Sequence, residues 1–264
     1  MVRIGKQASG KEAHSGKIRH LLSVNDLTVG EINDLFSLTR KLKKNPKPVL
    51  KGKTLAMLFA KPSTRTRVSF EVAMNQLGGH AIDLDFTDLQ LGRGETIADT
   101  SRVLSRYVDG IMARVFSHDD IIELAKNSSV PVINGLTDLL HPCQALADIY
   151  TVKEHFPHLK GLKLVFLGDG NNNVTHSLML ICSKLGIDMI VSSPKNHFPE
   201  PDVVADAAEN CEKSGADLRI VSSPREAVKG ADVLYTDTWV SMGDKNKSDR
   251  IHAFARYQLS WLFL

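Results

Sequence analysis

The feature that most constrains the fold is a regular alternation of short apolar segments with longer segments of helical periodicity. When each strand-like segment is followed by a helix, the strands form parallel sheets with helices on both faces. In the first half of the chain the strand-like segments are 53–60, 80–85, 110–115 and 130–136. The helix-like segments are 64–79, 94–108, 118–128 and 141–156, and the last has Pro142 in its first turn.

A second alternating series follows the segment "PHLKG" at 157–161. Its strand-like segments are 162–169, 188–194, 217–223 and 232–239. Its helices are expected from about Asn173, over 201–214 and after Pro224. The pattern predicts an α/β protein with two doubly wound parallel-sheet domains, one at 20–150 and one at 151–264.

The first nineteen residues are polar and basic, and they lack the apolar core of a secretory signal. We expect a flexible basic arm at 1–19, with an organelle-targeting peptide as the alternative. No apolar run approaches ~18 residues, so no membrane span is expected.

The net charge of +3 is too small to predict a surface that coats nucleic acid. A charge of this size also suits a small anionic substrate, and charge alone does not separate the two kinds of partner. Three cysteines, Cys143, Cys182 and Cys211, show no paired spacing. This spacing indicates a reducing compartment without disulfides, and we predict a cytoplasmic protein. No cluster of His, Cys and acidic residues has the spacing of metal ligands, so no metal is predicted.

The segment "FAKPSTRTRV" at 59–68 places three hydroxyl groups and two guanidinium groups at the start of a helix. Free backbone N–H groups and the helix dipole stabilise an anion at such an end. Ser63 is predicted as the N-cap, with Thr64, Arg65 and Thr66 in the first turn. Cationic side chains oppose the dipole there, so Arg65 and Arg67 indicate a bound phosphate. The alternative is an ordinary capped surface helix with solvated arginines.

Two further strand ends carry polar groups in the first half of the chain. Arg114 ends an apolar strand, where parallel sheets bind ligands, although an ordinary surface arginine is equally consistent. His141 and Gln144 are three residues apart in the first turn of the next helix, so they project from the same side. A histidine can donate to a carbonyl oxygen, and a carboxamide can accept from an attached amide. A capping or core histidine is the alternative for His141.

In the second half, the segment "LGDGNNNVTHSL" at 167–178 resembles the start of a dinucleotide motif, but Asn173 occupies its third glycine position. Asparagines at a helix N-terminus suit a carboxylate instead, and an Asn-rich turn remains the alternative. Asp237 follows an apolar strand and is a candidate to hold an amine, with a solvated carboxylate as the alternative. The sequence predicts a tight loop after it at Ser241, Met242 and Gly243.

Together these segments resemble the aspartate/ornithine carbamoyltransferase family from about residue 20 to about residue 258. The segments "STRTR" and "HPCQ" are similar to those of the family generally. The segment "DTWVSMG" looks like that of the members that act on ornithine rather than aspartate. The resemblance implies transfer of a carbamoyl group from carbamoyl phosphate to the δ-amine of L-ornithine, giving L-citrulline and phosphate, without a cofactor.

The resemblance also assigns site residues and an assembly. It makes the first domain the carbamoyl-phosphate-binding domain and the second the ornithine-binding domain. It implies that Arg65, Arg114 and His141 are catalytic. The residues implied to bind carbamoyl phosphate are Ser63, Thr64, Arg65, Thr66, Gln90, Arg114, His141 and Gln144. Those implied to hold ornithine are Asn173, Asp237, Ser241 and the Met242 backbone. The resemblance implies a homotrimer with shared sites, in which the loop at 88–95 brings Gln90 to a neighbouring subunit.

One departure from the family pattern lies at the C-terminus. The sequence holds no His-Cys-Leu-Pro motif, and it diverges after "RYQ" at 256–258. From the resemblance we expect an incomplete, truncated second domain and an exposed apolar patch where a closing helix would pack. The alternatives are an inactive paralogue that binds carbamoyl phosphate or assembles without turnover, and a carbamoyltransferase for another amine such as putrescine. An oxidoreductase that uses a nicotinamide cofactor rests on residues 167–178 alone.

Overall fold

The computed structural model describes residues 18–86, 94–240 and 247–260. Two four-stranded sheets, in which every strand pairs in parallel, organise these residues. The first sheet has the order β2-β1-β3-β4 and contains β1 (Thr54–Phe59), β2 (His80–Asp85), β3 (Gly110–Arg114) and β4 (Val132–Leu136). The second has the order β7-β6-β5-β8 and contains β5 (Lys163–Leu167), β6 (Asp188–Ser192), β7 (Leu218–Val221) and β8 (Val233–Thr236).

Helices alternate with these strands along the chain, as the sequence predicts. The helices of the first half are α1 (Val29–Lys44), α2 (Arg65–Gln76), α3 (Ile97–Leu104), α4 (His118–Asn127) and α5 (Pro142–His155). Those of the second half are α6 (Asn173–Leu185), α7 (Pro201–Ser214), α8 (Pro224–Ala227) and α9 (Lys247–Phe254). Short 3-10 helices lie at Val24–Asp26, Lys195–His197 and Ala255–Tyr257.

The central strands of both sheets are buried on two faces. Alternate side chains of a strand point to opposite sides, so each of these strands packs against helices on both faces of its sheet. In β1, Ala56 and Leu58 pack into the cluster that contains helix α4, whereas Met57 and Phe59 pack with Met74 of α2. In the second sheet, Phe166 of β5 joins the cluster of helices α6 and α7, and its neighbours pack toward α8. The predicted fold class of two doubly wound parallel-sheet domains is therefore confirmed.

One apolar cluster joins the two halves of the chain. It contains Phe36 of α1, Ile149 of α5, and Leu178 of α6, all within 3 % of complete burial. The ammonium group of Lys184 also donates to the backbone oxygens of Leu27 at 2.7 Å and Asn25 at 3.0 Å. These contacts hold the two sheets at a fixed relation to each other. The predicted division at residues 150 and 151 falls within α5, which ends at His155, and it remains a prediction.

The prediction that Ser63 caps helix α2 is wrong. Thr64 is the N-cap residue, its backbone is already helical at φ −86° and ψ −53°, and its side chain makes no capping hydrogen bond within the described part of the chain. A side-chain cap requires an extended N-cap backbone, and the chain turns into the helix too early for that here. The first turn of α2 therefore keeps its backbone donors for another acceptor. At the other end, α2 stops two residues before the predicted glycines, and Gly78 follows at φ +80°.

No helix among residues 18–86, 94–240 and 247–260 is long and apolar enough to cross a membrane.

Helix α9 is anchored to the second sheet by aromatic packing. Phe254 is completely buried, its ring lies 4.7 Å from that of His197, and the Arg250 guanidinium lies over it at 5.3 Å. Tyr257 is also fully buried, and its hydroxyl donates to the backbone oxygen of Ser222 at 2.9 Å. The segment after residue 247 is therefore an integral part of the second unit.

We expect Phe254→Ala to lower the free energy of unfolding by about 3–5 kcal/mol, because it leaves a cavity beside His197. Tyr107→Ala is the matched control, since Tyr107 is 80 % exposed and its loss should change stability by no more than about 0.5 kcal/mol. Urea unfolding curves of the three proteins measure both effects. Equal midpoints for Phe254→Ala and the unchanged chain would contradict the packing described for α9.

Candidate functional site

The strand order locates the candidate site at the carboxyl ends of four strands. In an open parallel sheet, ligands bind where neighbouring strands have connections that leave in opposite directions. The first sheet has this switch between β1 and β3, and the second has it between β5 and β8. The segments after these strands begin at residues 60, 115, 168 and 237. They include most of the residues that the sequence analysis singles out.

Arg114 ends β3 and lies between its neighbours in the sheet. It pairs with Phe59 of β1, and a register shift precedes it where β3 meets β4. Its guanidinium donates to the Thr66 hydroxyl at 3.3 Å, which joins the strand end to the first turn of α2. Its buried Nε finds no hydrogen-bond partner among the described residues. Burial, followed by the nearby charge of Arg65, lowers the pKa of Arg114. Two cations and a hydroxyl therefore converge on one place.

The two arginines of the opening run have different roles. Arg67 forms ion pairs with Asp83 and Asp85, and its guanidinium lies 4.5 Å from the centre of the Phe59 ring. Its compensating anions are therefore supplied by strand β2, and the prediction that it needs an external anion is wrong. Arg65 is exposed at the first position of α2, beside Arg114.

His141 is a buried residue at the N-cap of helix α5. Its backbone N–H donates to the Ser177 hydroxyl of α6 at 2.7 Å. Its ring Nδ1 is buried without a hydrogen-bond partner in the described part of the chain. Burial, assisted by the charge of Arg114, lowers the pKa of His141 to about 4. The imidazole is therefore neutral at pH 7, and it can donate one hydrogen bond to an uncharged carbonyl oxygen.

Gln144 lies in the first turn of α5, and two successive hydrogen bonds link its side chain through Asp148 to Tyr235. Its Nε2 donates to Oδ1 of Asp148 at 2.9 Å. The other carboxylate oxygen of Asp148 accepts from the hydroxyl of Tyr235 in β8 at 2.9 Å. Sequence reasoning missed Asp148 and Tyr235. The four-residue spacing of Gln144 and Asp148 was the only local signal, since Tyr235 comes 87 positions after Asp148.

The asparagine run at the start of α6 is tied to the protein. Asn172 is the N-cap and accepts from the backbone N–H of Val174 at 2.8 Å. Asn173 donates from Nδ2 to the backbone oxygen of Thr137 at 2.6 Å, across the two halves of the chain. The role of Asn173 toward a carboxylate stays a prediction, and the bond to Thr137 uses one of the two hydrogens on its amide nitrogen.

The two glycines before this run are required for different reasons, one for its backbone conformation and the other for close packing. Gly168 adopts φ +138°, in a region that favours glycine, and a Cβ on Gly170 would lie 2.5 Å from the His197 carbonyl oxygen. Between them, Asp169 is 5 % exposed and forms an ion pair with Arg250 of α9. The His197 ring lies 3.8 Å from the other Asp169 oxygen. Asp169 and Arg250 are 81 positions apart, so only the tertiary structure reveals their pairing.

Asp237 follows β8 and lines a cavity of about 430 Å³. The other lining residues are Thr236, Thr238, Trp239, Val240, Ile251, Gln258 and Leu259. Asp237 is half-buried, and its charge contributes to raising the pKa values of Asp148 and Tyr235, which indicates that it lies close to both. Gln90, Ser241 and Met242 lie outside the described residues, and their predicted roles stay predictions.

No group of three or more His, Cys, Asp or Glu residues in the described part of the chain is arranged to hold a metal ion.

The structure thus brings Arg65, Thr66, Arg114 and His141 together at the first switch point, with Gln144 one turn along α5. Models of two protein domains match nearly all of the described chain. The carbamoyl-P binding domain of aspartate/ornithine carbamoyltransferase matches residues 19–154, and the Asp/Orn binding domain matches residues 160–261. The chain belongs to the aspartate/ornithine carbamoyltransferase family.

Members of this family resemble the chain in sequence and in structure. The ornithine carbamoyltransferase of Pyrococcus horikoshii is 53% identical over 251 residues, which are 92% of this chain and 78% of the relative. That of Pyrococcus abyssi is 52% identical over 250 residues, with the same coverage. The solved structure of the Pyrococcus furiosus ornithine carbamoyltransferase superposes with a TM-score of 0.88 at 51% identity, covering 93% of this chain and 80% of that one. Family membership removes the basis for the oxidoreductase alternative.

We expect stability to fall as the pH drops from about 6.5 to about 4, in part because of His141. The folded protein holds the pKa of His141 at about 4, and the reference value is 6.5, so the unfolded state binds more protons between these values. His141→Gln should make the pH dependence shallower by up to about 1.4 kcal/mol per pH unit in this window.

Urea unfolding at several pH values measures the two slopes. His20, His118 and His176, whose pKa values burial also lowers, are present in both proteins and cancel in the comparison. His158→Gln removes an exposed histidine and serves as the matched control. Identical slopes for His141→Gln and the unchanged chain would show that His141 is not held neutral by the fold.

Proposed function

We propose that this chain transfers the carbamoyl group of carbamoyl phosphate to the δ-amine of L-ornithine, giving L-citrulline and phosphate. The observation that carries the proposal is the convergence of Arg114 and neutral, buried His141 on the uncapped first turn of α2. Such a place combines cations and backbone donors for a phosphate with a neutral donor for a carbonyl. The names of the matched relatives support ornithine as the acceptor.

The phosphate of the first substrate is proposed to lie at the N-terminus of α2. Arg65, the hydroxyls of Ser63, Thr64 and Thr66, and the free backbone N–H groups of the first turn would bind its oxygens. Gln90 would contribute from a neighbouring subunit. Because the N-cap residue Thr64 makes no capping hydrogen bond within the described residues, it does not compete with a phosphate for the donors of this turn.

The carbamoyl group is proposed to extend from this phosphate toward Arg114 and His141. Both donate to the carbonyl oxygen, and Thr66, which already accepts from Arg114, lies beside them. Gln144 orients the amide of the carbamoyl group. These donors are fixed in position before reaction, so they stabilise negative charge on the oxygen without reorganising.

Ornithine is proposed to bind along the second switch point. Asp237 holds an amine of the substrate, while Asn173, Ser241 and the Met242 backbone hold its amino-acid end. The cavity of about 430 Å³ beside Asp237 provides the space for a small aliphatic substrate. Its lining by Trp239, Val240 and Ile251 suits the methylene chain.

Reaction then proceeds by direct acyl transfer. The neutral δ-amine nitrogen attacks the carbamoyl carbon, and the C–N bond forms as the carbonyl electron pair moves to oxygen. The resulting oxyanion faces Arg114 and His141. Collapse restores the C=O bond, breaks the bond from carbon to the phosphate oxygen, and releases phosphate with the electron pair, while the amine nitrogen loses a proton. Holding both reactants together supplies much of the acceleration.

The first test is citrulline production from carbamoyl phosphate and ornithine. Arg65→Ala should reduce kcat/KM by at least about 100-fold, because the variant loses a charged donor to the phosphate. Arg40→Ala, at an exposed position of α1, is the matched control and should retain the activity.

The outcomes separate the candidate activities. Thermal stabilisation by carbamoyl phosphate without citrulline would indicate a binding protein rather than an enzyme. Carbamoylation of putrescine in preference to ornithine would assign a different acceptor. Unchanged activity in Arg65→Ala would contradict the proposed phosphate site.

We also propose that the chain forms a homotrimer with shared sites and acts in the cytoplasm. Helix α2 buries only Met74 among its twelve residues, while Val68 is 53% exposed and Val72 is 45% exposed. The adjacent edge strand β2 leaves Ile82 38% exposed on the face of the sheet opposite α2. Exposed apolar residues on a helix beside an edge strand favour a protein interface. This surface lies next to the phosphate site, which is where a neighbouring Gln90 is needed.

We expect Val72→Glu to dissociate the trimer, because it places a charge in the proposed interface and removes the apolar contact that Val72 would make there. Ile122→Glu is the matched control, since Ile122 is equally exposed at 45% but belongs to helix α4. Sedimentation equilibrium should show a three-chain mass for the unchanged protein and the control, and a smaller mass for Val72→Glu. A three-chain mass in all three proteins would exclude this surface as the interface.

A further inference from the structure

The half-buried carboxylate of Asp148 accepts two hydrogen bonds from opposite sides. On its own helix it accepts from Gln144 Nε2 at 2.9 Å, and from the second sheet it accepts from the Tyr235 hydroxyl at 2.9 Å. Each donor uses a different carboxylate oxygen. Asp148 therefore links the residue proposed to orient the carbamoyl amide with the strand that leads to Asp237.

The chemistry of a carboxylate decides which way the Gln144 amide points. An ionised carboxylate only accepts hydrogen bonds, whereas a carboxamide donates from its nitrogen and accepts at its oxygen. The Gln144 nitrogen must therefore face Asp148, and Oε1 is directed away from it. A carbamoyl group carries an NH₂ that donates two hydrogen bonds, so an outward-facing oxygen is the end that recognises it.

Burial raises the pKa of Asp148 overall, and the charge of Asp237 acts in the same direction. The hydrogen bonds from Gln144 and Tyr235 lower it, because both stabilise the charged form. The two donors thus match a carboxylate that has lost its proton. Burial also raises the pKa of Tyr235, so its hydroxyl keeps the proton that it donates.

Resting on the proposed function, we propose that Asp148 is a positioning residue that orients the Gln144 amide and thereby makes the site select a carbamoyl group over an acetyl group. Acetyl phosphate has the same shape as carbamoyl phosphate but carries a methyl group in place of the amide nitrogen. Its phosphate and carbonyl can be bound by the same groups. Only the amide nitrogen interacts with the oriented Oε1 of Gln144.

Tyr235 connects this orientation to the second sheet. Its ring stacks on Phe166 of β5 at 5.8 Å between centroids, which fixes the direction of its hydroxyl. Asp237 follows two residues later in the chain. The carboxylate of Asp148 is consequently held from the side on which the amine is proposed to bind.

The decisive variant is Asp148→Asn, which preserves the shape of the side chain. The Tyr235 hydroxyl would donate to the new carboxamide oxygen, leaving the new NH₂ toward Gln144. Gln144 would then turn its own oxygen toward residue 148 and its nitrogen toward the ligand. The NH₂ group of Gln144 would then face the NH₂ group of the carbamoyl ligand, so the ligand's donor would lose its acceptor.

Affinities for carbamoyl phosphate and acetyl phosphate are measured by calorimetry in the absence of ornithine. The unchanged chain should prefer carbamoyl phosphate. In Asp148→Asn, the affinity for carbamoyl phosphate should fall by at least about tenfold, while that for acetyl phosphate should change by less than about threefold. Tyr235→Phe is the control, because Asp148 still accepts from Gln144 and the preference should persist.

Two results would overturn the inference. Equal affinity of the unchanged chain for both ligands would show that Gln144 does not read the amide. Equal losses for both ligands in Asp148→Asn, with a lowered unfolding midpoint, would show that Asp148 only supports the fold. Because ornithine is absent from the binding experiment, a chain that makes no citrulline but loses its preference in Asp148→Asn would refute the proposed reaction and leave the positioning role intact.

Discussion

The packing of helix α5 against α6 is the interaction on which the rest of the candidate site depends. Each sheet has its own switch point, and neither contains all of the groups required to hold two substrates. The apolar cluster that includes Ile149 and Leu178 fixes one helix on the other. At their N-termini, His141 donates to Ser177, and Asn173 donates to Thr137. These bonds align the two switch points as parts of one site.

The site is built from polar groups that the fold buries at a cost in stability. Arg114 and His141 each keep a buried nitrogen without a hydrogen-bond partner among the described residues. Unpaired buried donors and acceptors are unfavourable in the folded chain, and they regain partners when a ligand with oxygen atoms binds. Asp169 is buried and Asp148 is half-buried, but hydrogen-bond donors satisfy both carboxylates. The first pair suits binding of a substrate, and the second pair holds the surrounding segments in place.

Most elements of the fold follow from the local pattern, whereas their ends depend on neighbours. Strand β2 at 80–85 and helix α7 at 201–214 have the predicted bounds, because their periodicity is strong and turn residues flank them. The predicted Ser63 cap is wrong, since Thr64 already has a helical backbone. Arg67 looked like a ligand for an anion, but β2 supplies Asp83 and Asp85 to it. The first error concerns the local backbone of the helix start, and the second concerns a contact made after the helix reaches the sheet.

Local sequence patterns were sufficient to predict the alternating α/β architecture, the two series of strands, and the motifs around Arg65, Arg114, His141 and Asp237. Hydrophobic periodicity and helix-end chemistry act over a few residues, so a linear pattern is sufficient to reveal them. The contact of Tyr235 with Asp148, and that of Arg250 with Asp169, could be found only from the folded chain. These partners are 87 and 81 positions apart, and only the packing of whole elements brings them together.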